Sequence, residues 1–249
     1  MRAILHWTLL GSLLGCTNND KGSADSGTDT AASQNNGVED DIVQATLMVI
    51  DPLDGSGVEE VPVETGTGLS KTTDTEGVAH ISLDPGGTFQ FTVSHGVADT
   101  VDHQIFGPTG SENFTYPVYL STEAMLESVN ASLGTTPALE TGILAVYIHD
   151  DDLQPVVGVS ASIGTGHDDS WVWMTDGAPS TFGEPAFGDT VPEGGNGIVV
   201  FPNTFPGPTS VTVSPPDGVT CSAFPGGGQM PNAPILMNNV TIVSFRCRN

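Results

Sequence analysis

The chain has 249 residues, and its 30 Asp and Glu against 5 Lys and Arg give a formal net charge of −25 at pH 7. A surface this acidic repels nucleic-acid phosphates and anionic lipid headgroups, so we expect no nucleic-acid partner and no membrane adsorption through basic residues. The 31 Gly and 18 Pro, with few long apolar helical patterns, predict many short strands joined by turns and therefore an all-β fold.

Residues 1–15 have the layout of a signal peptide, with Arg2 followed by an apolar run over residues 3–14. That run is shorter than the roughly 20 apolar residues needed to cross a bilayer. It ends in Leu-Leu-Gly-Cys, which resembles the lipobox of bacterial lipoproteins. The resemblance implies that Cys16 becomes the lipidated first residue, held in the membrane by its acyl chains. An ordinary signal peptide with a chance cysteine is the alternative.

The segment after the lipobox, residues 16–44, is rich in Gly, Ser, Asn and Asp and offers almost no apolar residue to bury. This composition predicts a disordered tether. A flexible coil of this length has an end-to-end distance of about 30 Å, which would hold a folded body clear of the lipid headgroups.

The first globular stretch covers residues 45–121. Apolar residues alternate over residues 78–83 and 89–93, and turn clusters rich in Gly, Pro and Asp separate the runs. We therefore expect a seven-stranded antiparallel sandwich here. Residues 122–138 then predict a short connecting helix and linker, in which four apolar residues share one face and Gly134 marks the end: Met125, Leu126, Val129 and Leu133.

The second stretch, residues 139–249, repeats the order of the first. VIDPLDGSGVEEVPV, TTDTEGVAHISL and TFQFTVSHG correspond to IHDDDLQPVVGVSAS, NGIVVF and TSVTVSPPDG. These segments resemble the tandem carboxypeptidase regulatory-like, or transthyretin-like (prealbumin-like), domains of bacterial exported proteins, which are akin to adhesin repeats. The resemblance implies two tandem seven-stranded antiparallel β-sandwiches, prealbumin- or Ig-like, that serve as spacers, binding modules or accessory domains. Residues 175–197 depart from it, because a long Gly/Pro-rich insertion replaces a short turn.

Assigning Cys16 to lipid leaves Cys221 and Cys247 as the remaining cysteines. In an oxidising exterior these two are predicted to form a disulfide. A pair of free buried thiols is the alternative.

Acidic turns are the first candidate site. Counting turns along the hairpins predicts that four aspartates gather at one end of the second stretch: Asp150, Asp151, Asp152 and Asp176. Ca²⁺ takes six to eight oxygen ligands, and these carboxylates could supply some of them. No EF-hand spacing is present, and solvated surface charge is the alternative. We expect no required cofactor, with Ca²⁺ as the one ion to test.

Trp171 and Trp173 are the second candidate site. Alternation places both on one face of a strand and Val172 with Met174 on the other. If only the valine face is core, the tryptophans form an exposed aromatic platform for a sugar ring or a protein partner. Core packing, or coverage by the insertion, is the alternative.

Catalytic motifs are missing from the sequence, which contains no GxSxG and no HExxH pattern, and its histidines are predicted to be isolated surface residues. We therefore expect a non-enzyme: a lipid-anchored protein of the bacterial cell envelope that displays β-sandwich modules for adhesion or partner binding. The alternative is an accessory carbohydrate-binding module, with Ca²⁺ dependence left open. The outer membrane, the cell surface and the periplasmic face all remain open as locations.

Overall fold

The computed structural model describes residues 42–94, 101–175 and 182–249. The predicted signal peptide, Cys16 and the tether up to residue 41 lie outside these ranges, as does Asp176, so the predictions about them stay predictions. Within the described ranges, no helix combines the length and the apolar character needed to span a membrane.

In the described residues, seven strands lie before the helix. The first begins at Val43, two residues ahead of the expected boundary, because Val43 and Ala45 are both buried in the core. Residues 43–44, assigned to the tether from sequence, therefore belong to the sheet. The strands are β1 (Val43–Ile50), β2 (Pro62–Thr65), β3 (Ser70–Thr72), β4 (Val78–Leu83), β5 (Thr88–Val93), β6 (Asp102–Pro108) and β7 (Phe114–Tyr119).

Helix α1 (Glu123–Leu133) forms where the sequence predicts it. The Thr122 side chain accepts a hydrogen bond from the Met125 N–H at 3.1 Å, which caps the first turn. Gly134 ends the helix in the left-handed conformation, with φ 66°, where a side chain would be strained. Val129 is buried and fixes the helix against the sheet below.

Ten strands follow the helix in the described residues, where seven were expected. One of them, β11, lies inside the predicted insertion 175–197, so part of that segment is a strand rather than a loop. The strands are β8 (Gly142–His149), β9 (Ser160–Ile163), β10 (Trp171–Thr175), β11 (Phe182–Phe187), β12 (Gly195–Thr204), β13 (Gly207–Thr209), β14 (Val211–Ser214), β15 (Thr220–Ala223), β16 (Ala233–Ile235) and β17 (Asn239–Arg248).

One large sheet runs through both stretches in the order β11-β10-β12-β8-β17-β6-β5-β2-β3, with β15 also paired to β17. The two stretches join where β6 and β17 pair in parallel, with His103 opposite Val240. Strands β17 and β8 are also parallel, as are β1 and β7 in a separate three-stranded sheet. The expectation of purely antiparallel sheets is therefore wrong at three pairs, which bring together strands from distant parts of the chain.

The large sheet carries a hydrophobic core on each face. Trp171, Tyr147 and Ile242 belong to the core shared with the three-stranded sheet β4-β1-β7. Their neighbours in sequence, among them Val172 and Val146, belong to a second core on the opposite face, which the small sheets β14-β9 and β13-β16 cover. In this half of the molecule the large sheet is therefore a middle layer, and both sides of its strands are buried.

Candidate functional site

The two tryptophans of the predicted platform are buried. Trp171 and Trp173 are 3% and 8% exposed, and their rings meet edge to face at 4.9 Å. Phe182 of β11 packs on Trp173 at the same centroid distance. The exposed-platform hypothesis is wrong in this structure, and the alternative of core packing and coverage holds, because the sheet is buried on both faces.

The acidic turn after β8 uses its first carboxylate for its own backbone. Asp150 Oδ1 accepts the N–H groups of Asp152 and Gln154, each at 2.9 Å. This is an Asx-type turn, in which the side chain replaces a backbone acceptor. Asp150 therefore shapes the turn, while the Asp152 side chain remains exposed.

Asp151 in the same turn is paired with arginine. Arg248 donates three hydrogen bonds to its carboxylate, from Nε at 2.8 Å and 3.1 Å and from Nη2 at 2.7 Å, and Arg246 Nε lies 3.5 Å away. The hydrogen bonds from Arg248 lower the pKa of Asp151, and the pair lies at the surface. Two of the three Lys and Arg residues in the described part of the chain are thus gathered around one aspartate.

These aspartates do not form a preformed calcium site in the described residues. Across the described ranges, no group of three or more His, Cys, Asp or Glu side chains is placed to hold a metal ion. Asp176, the fourth predicted ligand, lies outside those ranges, and the prediction stays open.

The acidic turns of the first stretch lie against each other. Gly57 lies so close to the Glu76 carbonyl that a Cβ there would stand 2.0 Å from the oxygen. The carboxylates again organise their own turns: Asp74 Oδ1 accepts the Val78 and Glu76 N–H groups, and these bonds lower the pKa of Asp74. Asp51 and Asp54 bind the N–H groups of Leu53 and Ser56 in the same way.

Two histidines predicted to lie on the surface are instead buried. His103 and His149 are 0% and 1% exposed, whereas His80 faces outward as expected. The sequence held a signal for both, since His103 alternates with the buried Ile105 and His149 ends the apolar strand β8. Burial lowers the pKa of each imidazole, that of His103 to about 4.

His149 forms a fixed polar bridge between strands. Its Nδ1 lies 2.6 Å from the Asp150 carbonyl oxygen, which can only accept, so Nδ1 carries the proton. Nε2 then accepts the Ser244 hydroxyl at 2.9 Å. A serine bound to an oriented imidazole has the geometry of a nucleophile and its base. Because Ser244 is 0% exposed, no substrate reaches it in this structure, and the pair serves to join β8 to β17.

A cleft of about 370 Å³ opens above this bridge. One wall is the acidic turn, and the other is the turn between β6 and β7, which contributes Glu112 and Asn113. Phe224 lies at its base, stacked edge to face on His149 at 4.9 Å, with the Arg246 guanidinium 5.4 Å from its ring centroid. Carboxylates, an amide, a guanidinium and an aromatic ring thus line one concavity of the size that small ligands occupy.

The predicted disulfide is present. Cys221 of β15 and Cys247 of β17 are directly opposite each other in register and are covalently joined. The bond fixes β15 to the C-terminal strand, which also carries Ser244 and both arginines of the cleft region.

These features define an all-β protein of layered sheets with one helix in its described residues. Comparison with known protein families matched none, and comparison with curated protein sequences found no similar sequence. Among solved structures, the chain is similar to the Bacillus anthracis TIE protein at 13% identity and a TM-score of 0.27, over 82% of this chain and 34% of that one.

Two pilins match with similar sequence identities and TM-scores. A streptococcal ancillary pilin matches at 13% identity and a TM-score of 0.27, with 83% of this chain and 62% of the pilin covered. The minor pilin of Streptococcus agalactiae matches at 12% identity and a TM-score of 0.27, with 83% and 97% covered. The chain spans about a third of the TIE protein and 62% of the ancillary pilin. At such low identity and TM-score the likeness carries no inference about binding.

Proposed function

We propose that this chain is a lipid-anchored protein of the bacterial cell envelope that displays a β-sandwich body for adhesion or partner binding. The observation that carries the proposal is the Cys221–Cys247 disulfide. Disulfides persist in oxidising compartments outside the cytosol. The bond also occupies two of the three cysteines in the sequence, so Cys16 at the end of the Leu-Leu-Gly-Cys motif is the thiol that remains for lipid.

Radiolabelled palmitate supplied to a bacterial host expressing the full chain tests the anchor. The wild-type protein should take up label and fractionate with membranes, and Cys16→Ala should lose both properties. Thr17→Ala, one residue on, is the matched control and should behave as wild type. An unlabelled wild-type protein, or a Cys16→Ala variant that stays membrane-bound, would contradict the anchor. Proteolysis of intact cells then reports which membrane face carries the protein.

We also propose that residues 45–121 and 139–249 are tandem modules of the carboxypeptidase regulatory-like kind, with the boundary at residues 122–138. The seven strands of the first stretch and the helix at the boundary support this proposal. The parallel pairing of β6 with β17 means that neither module would have a complete sheet alone. Limited proteolysis tests the boundary: first cleavage within residues 134–141 supports it, and first cleavage inside either module counts against it.

The accessory carbohydrate-binding function is the second candidate, and the cleft is the observation that favours it. Sugars are bound by planar polar side chains, and the cleft brings Asn113, Arg246 and exposed carboxylates together above the buried Phe224. Retention on a polysaccharide column tests it. Asn113→Ala and Asp152→Ala should reduce retention, while Glu184→Ala, outside the cleft, should not. Equal retention of all variants, or none by wild type, would count against it.

A further inference from the structure

A groove of about 440 Å³ lies beside helix α1, at the opposite end of β8 and β17 from the cleft. Glu123 and Glu127 line it from the helix, and the rest of its polar lining comes from the loops on either side of β8, β12 and β17. Three half-buried apolar side chains also line it: Val101, Leu126 and Ile143. The groove is therefore of the size of a ligand-binding cleft and has both apolar and acidic lining.

Both charged side chains of the groove are acidic. Glu123 and Glu127 are one helical turn apart, a spacing at which two like charges repel each other. Among the described residues, the salt bridges all lie in the turn after β8, so neither glutamate has a cationic partner there. Lys71 lies in β3 at the far edge of the large sheet, and Arg246 and Arg248 lie at the other end of β17. A cation supplied by a binding partner would relieve the repulsion between the glutamates.

The loops of the groove are fixed by hydrogen bonds within the chain. The Asn203 side chain accepts the Ala138 N–H at 2.7 Å and donates to the Thr136 carbonyl at 2.9 Å. The Asn238 N–H donates to the Thr141 carbonyl at 2.9 Å, which joins the loop before β8 to the loop before β17. Because the groove is already formed, a partner would bind with little loss of backbone entropy.

Exposed apolar side chains adjoin the groove along both of these loops. Leu139 is 92% exposed and follows Ala138 of the lining. Leu236 and Met237 are 44% and 53% exposed and precede Asn238 of the lining. Large apolar side chains gathered at one place on a surface and bordered by charge are typical of protein interfaces.

We propose that the groove, together with Leu139, Leu236 and Met237, is a docking surface for a basic segment of a protein partner, in which lysine or arginine lies next to apolar residues. The methylene groups of the basic side chain pack on the apolar lining, and its charge pairs with Glu123 and Glu127. The apolar neighbours in the segment cover the exposed leucines and methionine. A second copy of this chain is a poor occupant, because its net charge of −25 has the same sign.

Fluorescence anisotropy of a labelled Leu-Lys-Leu-Lys-Leu peptide tests this surface. The peptide is titrated with the full chain carrying Cys16→Ala, so that no lipid or detergent competes for it. Anisotropy should rise to saturation, and added salt should weaken the binding. A Gly-Lys-Gly-Lys-Gly peptide should bind at least about tenfold more weakly, because it has no apolar side chain to bury. Absence of a saturable rise, or equal binding of the glycine peptide, would overturn the proposal.

Paired variants locate the binding. Glu123→Gln combined with Glu127→Gln should weaken it by at least about tenfold, whereas Glu59→Gln with Glu64→Gln removes the same charge elsewhere and should stay within about twofold of wild type. Leu139→Ser should weaken it about fivefold. Equal losses in the two double variants would show that the peptide responds to net charge alone. Binding of phosphatidylcholine vesicles that depends on Leu139 would make the apolar residues a lipid contact and would also overturn the proposal.

This inference deepens the partner-binding function proposed above and rests on it, but the two fail in different experiments. A protein that takes up palmitate and fractionates with membranes, yet does not bind the lysine peptide, would remove the docking surface and leave the anchored protein. A protein that binds the peptide through Glu123 and Glu127, yet takes up no palmitate, would remove the anchor and leave the docking surface.

Discussion

The two faces of the large sheet are built from alternate residues of the same strands, yet they differ in chemistry. The face of Trp171 and Tyr147 packs on the three-stranded sheet and also buries His103, His149 and Ser244. The face of Val172 carries aliphatic side chains, Phe201 and Phe245, and ends at the disulfide. Buried histidine occurs on the first face alone within the described residues. The buried titratable groups therefore lie on one face, while the other face provides a rigid backing.

The largest effect should come from removing a tryptophan. Trp171→Ala should lower the free energy of unfolding by about 3–5 kcal/mol, because a large buried ring leaves a cavity. Val172→Ala, its neighbour on the opposite face, should also cost about 1.5 kcal/mol for two buried methyl-sized groups. Urea unfolding measures both. A neutral result for either variant would mean that one face of β10 is not core.

The disulfide should contribute nearly as much on the other face. Replacing both Cys221 and Cys247 by Ala should lower the free energy of unfolding by about 3–4 kcal/mol, from the loop closed by a sequence separation of 26 residues. The control is to measure both proteins with and without a reductant. The reductant should lower the free energy of unfolding of the wild type and leave that of the variant unchanged. A wild-type protein equally stable with and without reductant would contradict this contribution.

Mild acid should destabilise the histidine face. The folded-state pKa of His103, about 4, lies below the unfolded value near 6.5, so the unfolded chain binds more protons between these values. The contribution of His103 to the free energy of unfolding is therefore fully present above the unfolded pKa and is lost as the pH falls toward 4. From pH 7 to 5.5 the loss should be on the order of 1 kcal/mol from His103, with a further loss from His149.

His103→Asn should flatten this profile and can retain a bond to the Ser121 N–H. Denaturant unfolding over this pH range provides the measurement. An unchanged slope in that variant would mean that His103 is not the titrating group.

The smallest effect concerns helix α1, whose Val129 packs in the core of the first face. Thr122→Ala removes the N-cap of α1 and should cost about 1 kcal/mol. Thr122→Asp should retain the cap. Thermal unfolding of the three proteins distinguishes them, and equal stability of Thr122→Ala and wild type would show that the helix is held by packing alone.

Local patterns predicted the local elements. The apolar face of the helix, the stop at Gly134 and the alternation over residues 78–83 all correspond to observed structure, because each depends on neighbouring residues. The disulfide was predictable because two cysteines remained for one bond.

Long-range pairing was not predictable in this way. Nothing near β6 indicates that it pairs in parallel with β17, and that pairing helps make the large sheet a middle layer. The platform hypothesis for Trp171 and Trp173 failed for this reason, since alternation separates two faces but does not say how many are buried. His103 and His149 were placed on the surface because no catalytic or metal-binding spacing links them, although both lie in apolar strands. Of the candidate ligand contacts, the aspartates of the turn after β8 do line the cleft, whereas the two tryptophans lie in the core.

Acrylamide quenching of tryptophan emission tests most directly whether the large sheet is buried on both faces. In a Trp7→Phe background, only Trp171 and Trp173 emit. The structure predicts blue-shifted emission that resists the quencher until denaturant is added. Emission near the wavelength of free tryptophan, quenched as efficiently before unfolding as after it, would contradict the layered arrangement and return the tryptophans to the surface.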